Sequence, residues 1–288
     1  MSQGFQSQLG IDTVSPVTRG YEFESCQITK SGSIIDSSGI RGGRSHHSER
    51  TREGNYTIDG VIELYPSPAD LSHLLPLVLG GTPTGTTYPL ADSLAAFYVT
   101  VDKVAQVYTY AGCKVNKATF SGAQGQPMKL SLEIAGQTET AAAAGSFPTV
   151  TLDNSAPLIF SDSTLTLLGT SRQVKQWTVT IDNSLEVRFA NSTSATAITA
   201  QDRQVSLQCQ NPFTSAEIDL YGQALAGASA ALVLAGMGSS LTFNFATLQF
   251  PDHGPVVAGR EEITLALAGI ARKVGSTDEL SVVLTLGG

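Results

Sequence analysis

Residues Asn55–Gly81, NYTIDGVIELYPSPADLSHLLPLVLGG, set the pattern on which the rest of the chain is built. Apolar and polar residues alternate through the first ten positions. One side carries the apolar residues Tyr56, Ile58, Ile62 and Leu64. A half-buried strand requires this period of two, because successive side chains leave opposite faces of a sheet. The first part of the stretch therefore predicts a β-strand with one face in the core.

A short helix is predicted to follow that strand. Ser67 can cap its N-terminus, Pro68 suits the first helical position, and Asp70 lies at the positive end of the helix dipole. Apolar residues then recur at helical spacing, at Leu71, Leu74, Leu75 and Val78. We expect Pro76 to kink the helix or end it early, and the pair Gly80-Gly81 to close it.

The composition favours a globular, mainly-β protein. Of the 288 residues, 41% are hydrophobic and 15% charged. The net charge of −8 argues against general nucleic-acid binding, although nucleic acid could still pass through a repulsive channel. We see no secretory leader and no apolar run near the ~20 residues of a membrane helix, so no membrane insertion is expected. Three cysteines are too few for a disulfide framework, which favours a reducing cytoplasm.

The order of predicted elements occurs twice. It runs strand, long polar connection, strand, proline, capped helix, further strands, turn and alternating strand, first in 24–140 and again in 158–273. In the second half, Thr214–Glu217 has the form of a capping box before a predicted helix. Such a duplication predicts two similar units. The predicted parts are an N-terminal extended segment 1–23, a first unit 24–145, a linker 146–157, and a second unit 158–288.

The connection from Ser31 to Glu53 is the one arginine-rich segment of this acidic protein. Its arginines are Arg41, Arg44, Arg50 and Arg52. A structureless segment of this length in a compact domain is either functional or disordered. It is either a solvated mobile loop or an arm whose arginines bind carboxylates on another copy of the chain. Possible acceptors, among which the sequence does not choose, are Asp92, Asp102, Glu217 and Asp219.

Patterns for catalysis and metal binding are missing from the sequence. We find no phosphate-binding glycine loop, no dinucleotide fingerprint, no nucleophile elbow and no zinc-protease pattern. No cysteine pair has metal-ligand spacing. His46 and His47 are adjacent, so they face opposite ways on an extended backbone, and we assign them to the basic surface of the arm. No catalytic residue, cofactor or metal is therefore predicted.

Six stretches carry a resemblance to a known family. They are DSSGIRGGR at Asp36–Arg44, PSPADLSHLLPLVLGG at Pro66–Gly81, YAGCKVNKATFSG at Tyr110–Gly122, TIDNSLEVRFANS at Thr180–Ser192, DRQVSLQCQNPFT at Asp202–Thr214 and EEITLAL at Glu261–Leu267. As an ordered set they resemble the tail tube (major tail) proteins of bacteriophages with long non-contractile tails. The resemblance implies two tandem β-sandwich or open-barrel units, each with one short flanking helix and a long inter-strand arm. Rings of such units stack into a hollow tube for genome passage.

The resemblance also implies partners and surfaces. Two units in one chain imply homotrimeric, pseudo-hexameric rings. The implied partners are further copies of the chain and other tail proteins (tape measure, tail terminator, distal tail), in a virion tail assembled in the host cytoplasm. Residues proposed to contact the next ring are Arg41, Arg44, His46, His47, Arg50 and Arg52. Residues proposed for the lumen, where acidic side chains would repel DNA and prevent specific binding, are Asp59, Ser131, Glu133 and Thr264.

Two other functions are weighed against this one. The first is a bacterial secretion-tube-like or tail-associated cell-surface-binding β-sandwich module, which clustered exposed aromatic residues would favour. The only tryptophan, Trp177, instead falls on the apolar side of its strand. The second is a β-sandwich enzyme, which would need a convergent pair of carboxylates that no sequence pattern supplies.

Overall fold

The computed structural model describes residues 3–37, 39, 42–214, 218, 219, 227–251, 254, 255, 257, 260 and 262–287. This part of the chain is mainly β, with strands in antiparallel pairs and a twelve-residue helix. The elements are β1 (Gln8–Asp12), β2 (Ser25–Cys26), β3 (Thr29–Asp36), β4 (Thr51–Leu64), α1 (Pro68–Leu79), β5 (Thr87–Tyr88), β6 (Phe97–Asp102), β7 (Gln106–Ala123), β8 (Lys129–Gly136), β9 (Thr138–Ala143), β10 (Ser163–Leu167), β11 (Thr170–Arg172), β12 (Gln176–Asp182), β13 (Glu186–Arg188), β14 (Ala197–Thr199), β15 (Gln204–Pro212), β16 (Ala228–Gly236), β17 (Ser239–Gln249), β18 (Thr264–Arg272) and β19 (Leu280–Thr285).

β4 and α1 form where the sequence pattern places them. The apolar side of β4 and the helical stripe of α1 are buried, and Ser67 caps the helix by accepting a hydrogen bond from the Asp70 amide (3.0 Å). The expectation that Pro76 could end the helix early was wrong, since α1 continues to Leu79 and ends at Gly80 in the left-handed conformation (φ 81°). Burial of the apolar stripe stabilises the helix despite the hydrogen bond that proline removes.

The connection expected to be structureless is largely a β-hairpin. β3 extends to Asp36 and β4 begins at Thr51, so residues 37–50 alone join them. The pairing runs from Thr29↔Asp59 to Asp36↔Thr51, with a bulge between Gly32 and Ile34. Every residue of β3 is exposed, so no buried face imposed a period of two on its sequence. We call residues 32–56 the first arm.

Segments outside the two predicted units also take part in the fold. Within 1–23, β1 pairs with β6, and its residues Leu9 and Ile11 are buried. In the second half, a 3₁₀ turn at Phe160–Asp162 precedes the first strand, β10. Thr214 is described, but most of the second capping box and helix lies outside the described residues.

The same antiparallel pairing order occurs in both halves of the chain. In the first half the pairs are β1–β6, β6–β7, β7–β8, β7–β9, β8–β4 and β4–β3. In the second half they are β10–β16, β16–β17, β17–β18, β17–β19, β18–β15 and β15–β12. Each strand of the first series thus has a counterpart with the same neighbours in the second.

β7 and β12 join the two halves into one sheet. Residues Lys117–Ala123 of β7 pair with the whole of β12, giving the continuous order β3-β4-β8-β7-β12-β15-β18. The core is shared as well, since Phe120 and Phe243 from the two halves meet edge to face with ring centroids 5.1 Å apart.

Candidate assembly surfaces

One face of the seven-strand sheet is apolar and buried, and the other is polar. The four predicted lumen residues all lie on the polar face: Asp59 on β4, Ser131 and Glu133 on β8, and Thr264 on β18. Their shared side follows from the register, because directly opposed residues point to the same face. The cross-strand partners that connect them are Asp59↔Ala135, Glu63↔Ser131, Lys117↔Glu133, Asp182↔Lys117, Asp182↔Gln204, Gln176↔Gln210 and Pro212↔Thr264. The sequence named candidates on separate strands, and the fold places them on one surface.

The polar face is sparsely charged and carries mainly hydroxyl and amide groups. Its neutral polar residues include Thr119, Ser121, Thr178, Thr180, Ser206, Gln208 and Gln210. Its charged residues are the carboxylates of Asp59, Glu63, Glu133 and Asp182 and the cations of Lys114, Lys117, Lys129 and Arg272, four of each sign. All positions on this face lie within the described residues, and none of them carries an aromatic side chain. The face therefore offers little for nucleic-acid bases to stack on.

Two of the three lysines of this face, Lys117 and Lys129, form ion pairs with carboxylates of the same chain. Lys129 Nζ lies 2.7 Å from a Glu24 carboxylate oxygen and 3.1 Å from one of Glu63. The hydrogen bond from Lys129 lowers the pKa of Glu24, and that bond raises the pKa of Lys129 in turn. Lys117 Nζ lies 3.8 Å from Glu133. The positive charges of Lys117 and Lys129 are thus partly neutralised by neighbouring carboxylates.

The predicted arm residues Arg44, His46, His47, Arg50 and Arg52 are all exposed on the first arm. His46 Nδ1 lies 2.7 Å from the carboxylate of Asp36, and Arg50 Nε donates to Ser37 Oγ (2.7 Å). Arg41 lies outside the described residues.

Two further arm residues were missed from the sequence. Ile34 and Ile35 are 76% and 61% exposed, on opposite faces of the hairpin. The sequence does show a pair of isoleucines in an otherwise polar segment. The pair indicates an apolar contact surface only when the segment is known to be a strand. They add apolar surface to an arm that the sequence described by its charge.

The suggested carboxylate acceptors differ in availability. Asp102 is buried and accepts a hydrogen bond from the Val104 amide (2.7 Å), while Asp219 accepts one from Arg172 Nη2 (2.8 Å). Glu217 lies outside the described residues. Asp92 is exposed and lines a cavity of about 420 Å³. Of the described candidates, Asp92 is therefore the one best placed to receive an arginine from another copy.

The second half has an arm of its own, residues 183–203, which we call the second arm. It leaves β12 through a turn at Ser184 (φ 45°) and contains the short hairpin β13–β14. Unlike the first arm, it is folded against the first half of the chain. The buried Asn183 amide Nδ2 donates to the carbonyls of Val78 (3.2 Å) and Val115 (3.1 Å).

Further contacts hold the second arm along its length. The Leu185 amide donates to Asn116 Oδ1 (2.8 Å), and Lys114 Nζ donates to the Ile198 carbonyl (2.8 Å). The Tyr56 amide donates to the carbonyl of Thr193 (2.9 Å). Leu185 and Val187 line a shallow groove of about 340 Å³ together with Asp59, Glu133 and Ala135. The second arm thus crosses β7, β8 and β4 at the end of the sheet where the first arm begins.

The two ends of the seven-strand sheet are unpaired edges in the described part of the chain. β3 pairs with β4 and with no second strand, whereas its counterpart β12 pairs on both sides. At the other end, residues 264–269 of β18 pair with β15 alone. Unpaired edges are surfaces on which another chain can add strands.

No group of three or more His, Cys, Asp and Glu side chains within the described ranges could hold a metal ion. Burial raises the pKa of the Cys113 and Cys209 thiols to about 12, so these thiols are unreactive at neutral pH. Trp177 is 1% exposed and takes no part in an exposed aromatic platform. In the part of the chain that the structure covers, no helix has the length and apolar character needed to cross a membrane.

Comparison with known proteins agrees with the fold. The family described as phage tail tube protein matches residues 4–271, nearly the whole chain. No curated protein matches it. The antiparallel, mainly-β architecture with a small helical content is that of a tail tube fold. Membership implies self-association and contact with other tail proteins in general. The chain therefore belongs to the phage tail tube protein family and is a structural component of the virion tail.

Proposed function

We propose that three copies of this chain close into a pseudo-hexameric ring, and that such rings stack into the hollow tube through which the phage genome is ejected. The observation that carries the proposal is the repeated strand-pairing order. It supports two units per chain, 24–145 and 158–288, joined by the linker 146–157, with β1 from segment 1–23 added to the first. Three chains then supply six units.

Ring closure would reuse a junction that the chain already contains. β2 and β3 keep one register against β4, from Ser25↔Glu63 to Thr29↔Asp59, and together they are the counterpart of β12. β12 is paired on its outer side by β7. The outer edge of β3 in one copy would therefore be covered by the β17–β18 end of the next copy. Because the chain has one such edge at each end of its sheet, the contact repeats head to tail until the ring closes.

The polar face would line the lumen of that ring. Its opposite face is covered by α1 and the remaining strands, so the polar face is the one left for solvent. Asp59, Ser131, Glu133 and Thr264 lie on it, and its three lysines are held by acceptors of the same chain instead of being free to bind DNA phosphates. A lumen of this kind lets DNA pass without specific binding.

The first arm would connect stacked rings. Its basic residues are Arg41, Arg44, His46, His47, Arg50 and Arg52, and arginine forms paired hydrogen bonds with carboxylates. Contacts with the tape measure, tail terminator and distal tail proteins, and assembly in the host cytoplasm, belong to the same proposal.

Native mass spectrometry and cryo-electron microscopy of assembled protein test the ring. We expect a closed species of three 30.1 kDa chains with six similar lobes. A ring containing six chains would overturn the stoichiometry, and a protein that remains monomeric at all concentrations would overturn the assembly role.

Electron microscopy of a variant with the four arm arginines changed to alanine tests stacking. We expect rings that no longer form tubes. The matched control is Arg19→Ala, an exposed arginine outside both the arm and the seven-strand sheet, which should leave tubes intact. Full-length tubes from the arm variant would show that the arginines do not join rings.

A further inference from the structure

The two arms occupy equivalent places in the two units. β8 and β18 align by their starting residues, Lys129 and Thr264, and by the leucines that follow. The pairing registers then align β4 with β15 and β3 with β12. In both arms the pairing register shifts by one residue relative to the strand pair that precedes the arm. In the first arm, Gly32↔Tyr56 is followed by Ile34↔Glu53. In the second arm, Asp182↔Gln204 is followed by Glu186↔Thr199.

This alignment gives each arm isoleucine a counterpart in the second arm. The pair Ile35↔Arg52 corresponds to Glu186↔Thr199, so Ile34 corresponds to Leu185 and Ile35 to Glu186. Leu185 is half-buried against the first unit, whereas Glu186 is exposed. The same alignment therefore predicts that Ile34 is covered in the assembly and that Ile35 is not.

The surface that Leu185 covers has a counterpart in the second unit. Leu185 shares its groove with Glu133 and Ala135 of β8. The equivalent residues of β18 are Ala268 and Ile270, which lie on the polar face and are exposed and half-buried, respectively. The polar face is thus locally apolar where an apolar arm residue would meet it.

We propose that the first arm of one copy folds across the second unit of the neighbouring copy in the same ring, placing Ile34 against Ala268 and Ile270. It takes there the position that the second arm takes on the first unit within one chain. This inference rests on the proposed ring. The first arm is four residues longer than the second, so its arginine-bearing tip can still extend toward the next ring.

A matched pair of substitutions tests which side of the first arm contacts the neighbouring copy. Ile34→Glu should remain folded and lower ring formation at least about tenfold, because a carboxylate would be buried against apolar side chains. Ile35→Glu should assemble like the parent protein, because glutamate occupies the equivalent position of the second arm. Equal assembly of the two variants, measured by size-exclusion chromatography with light scattering, would overturn the proposal.

Disulfide trapping in assembled tubes identifies the neighbour. With Ile34→Cys and Ala268→Cys in one chain, we expect covalent multimers that stop at the number of chains in a ring. The control pair Ile34→Cys with Met237→Cys, an exposed residue at the β16–β17 turn, should give no such multimers. A ladder that extends beyond the ring would place the arm on the next ring and overturn the inference. Tubes without cross-links would overturn it while leaving the proposed function intact, whereas failure of the parent protein to form rings would refute the proposed function itself.

Discussion

Gly122→Ala is the sharpest single test of how the two halves are joined. Gly122 of β7 lies directly opposite Trp177 of β12. A Cβ at position 122 would lie 2.6 Å from Cε2 of the indole and 2.7 Å from its Cζ2 and Nε1. The indole is buried, and its Nε1–H donates to Ser163 Oγ (3.1 Å). It therefore cannot move aside without straining the core or losing that hydrogen bond.

The size of the effect follows from these contacts. Inserting a methyl group into a packed core costs about 1–3 kcal/mol, and a weakened buried hydrogen bond adds roughly 1 kcal/mol. We expect the free energy of unfolding to fall by about 2–4 kcal/mol. With a urea dependence of about 3 kcal/mol per molar, the unfolding midpoint would move down by roughly 1 M.

Urea titration of unassembled protein measures this shift directly. Trp177 is the only tryptophan in the sequence, so its fluorescence reports on the junction itself. Gly43→Ala is the control, because a Cβ there meets nothing within 4 Å. In a Trp177→Phe background followed by circular dichroism, the cost of Gly122→Ala should shrink because the clashing ring atoms are gone. An unchanged midpoint for Gly122→Ala, or an undiminished cost beside phenylalanine, would refute the proposed packing of the junction.

Three further measurements probe other parts of the chain. Asn183→Ala removes two buried hydrogen bonds between the second arm and the first half of the chain, and should lower the free energy of unfolding by about 2–4 kcal/mol. The exposed Asn154→Ala should change it by less than about 0.5 kcal/mol in the same urea titration. Burial, helped by Arg19, lowers the pKa of His73 below its unfolded value of 6.5. Since the unfolded chain then takes up the proton first, stability should fall as the pH drops through about 6.5, and His73→Gln should reduce the difference between urea midpoints at pH 7 and pH 5. Burial also raises the pKa of Cys26, so a thiol reagent at pH 8 should label Cys26 slowly and the two buried cysteines only after unfolding.

Local pattern predicted the elements that have one buried face. The alternation around Ile58 placed β4, because that strand packs one side on the core, and the buried residues Leu132, Val179 and Leu207 follow the same period of two in β8, β12 and β15. The first arm gave no such pattern, since both of its faces are exposed in the chain. Its hairpin became visible only through pairing with β4.

The candidate surfaces depended on information that is not local. The sequence gives the types of Asp59, Glu133 and Thr264, but their common face follows from the register of five strand pairs. The junction of β7 with β12 joins residues more than fifty positions apart. No periodicity within either strand indicates which partner it will choose, so the sequence could name lumen candidates but not bring them together.

The contrast between the two halves of the chain also bears on the role of an exposed edge strand that carries isoleucines. An unpaired strand with apolar residues is an aggregation hazard for a monomer. Within the chain, however, the counterparts of β3 and of the first arm already have their contacts. β12 is paired on both sides, and the second arm is packed against the first half. In the described part of the chain, β3 is paired on one side only and all of its residues are exposed. If the proposed ring forms, the next copy supplies the missing half of each contact. The exposed edge is then a specific assembly surface, and the pairing of β7 with β12 within the chain shows the geometry of the contact that it would make.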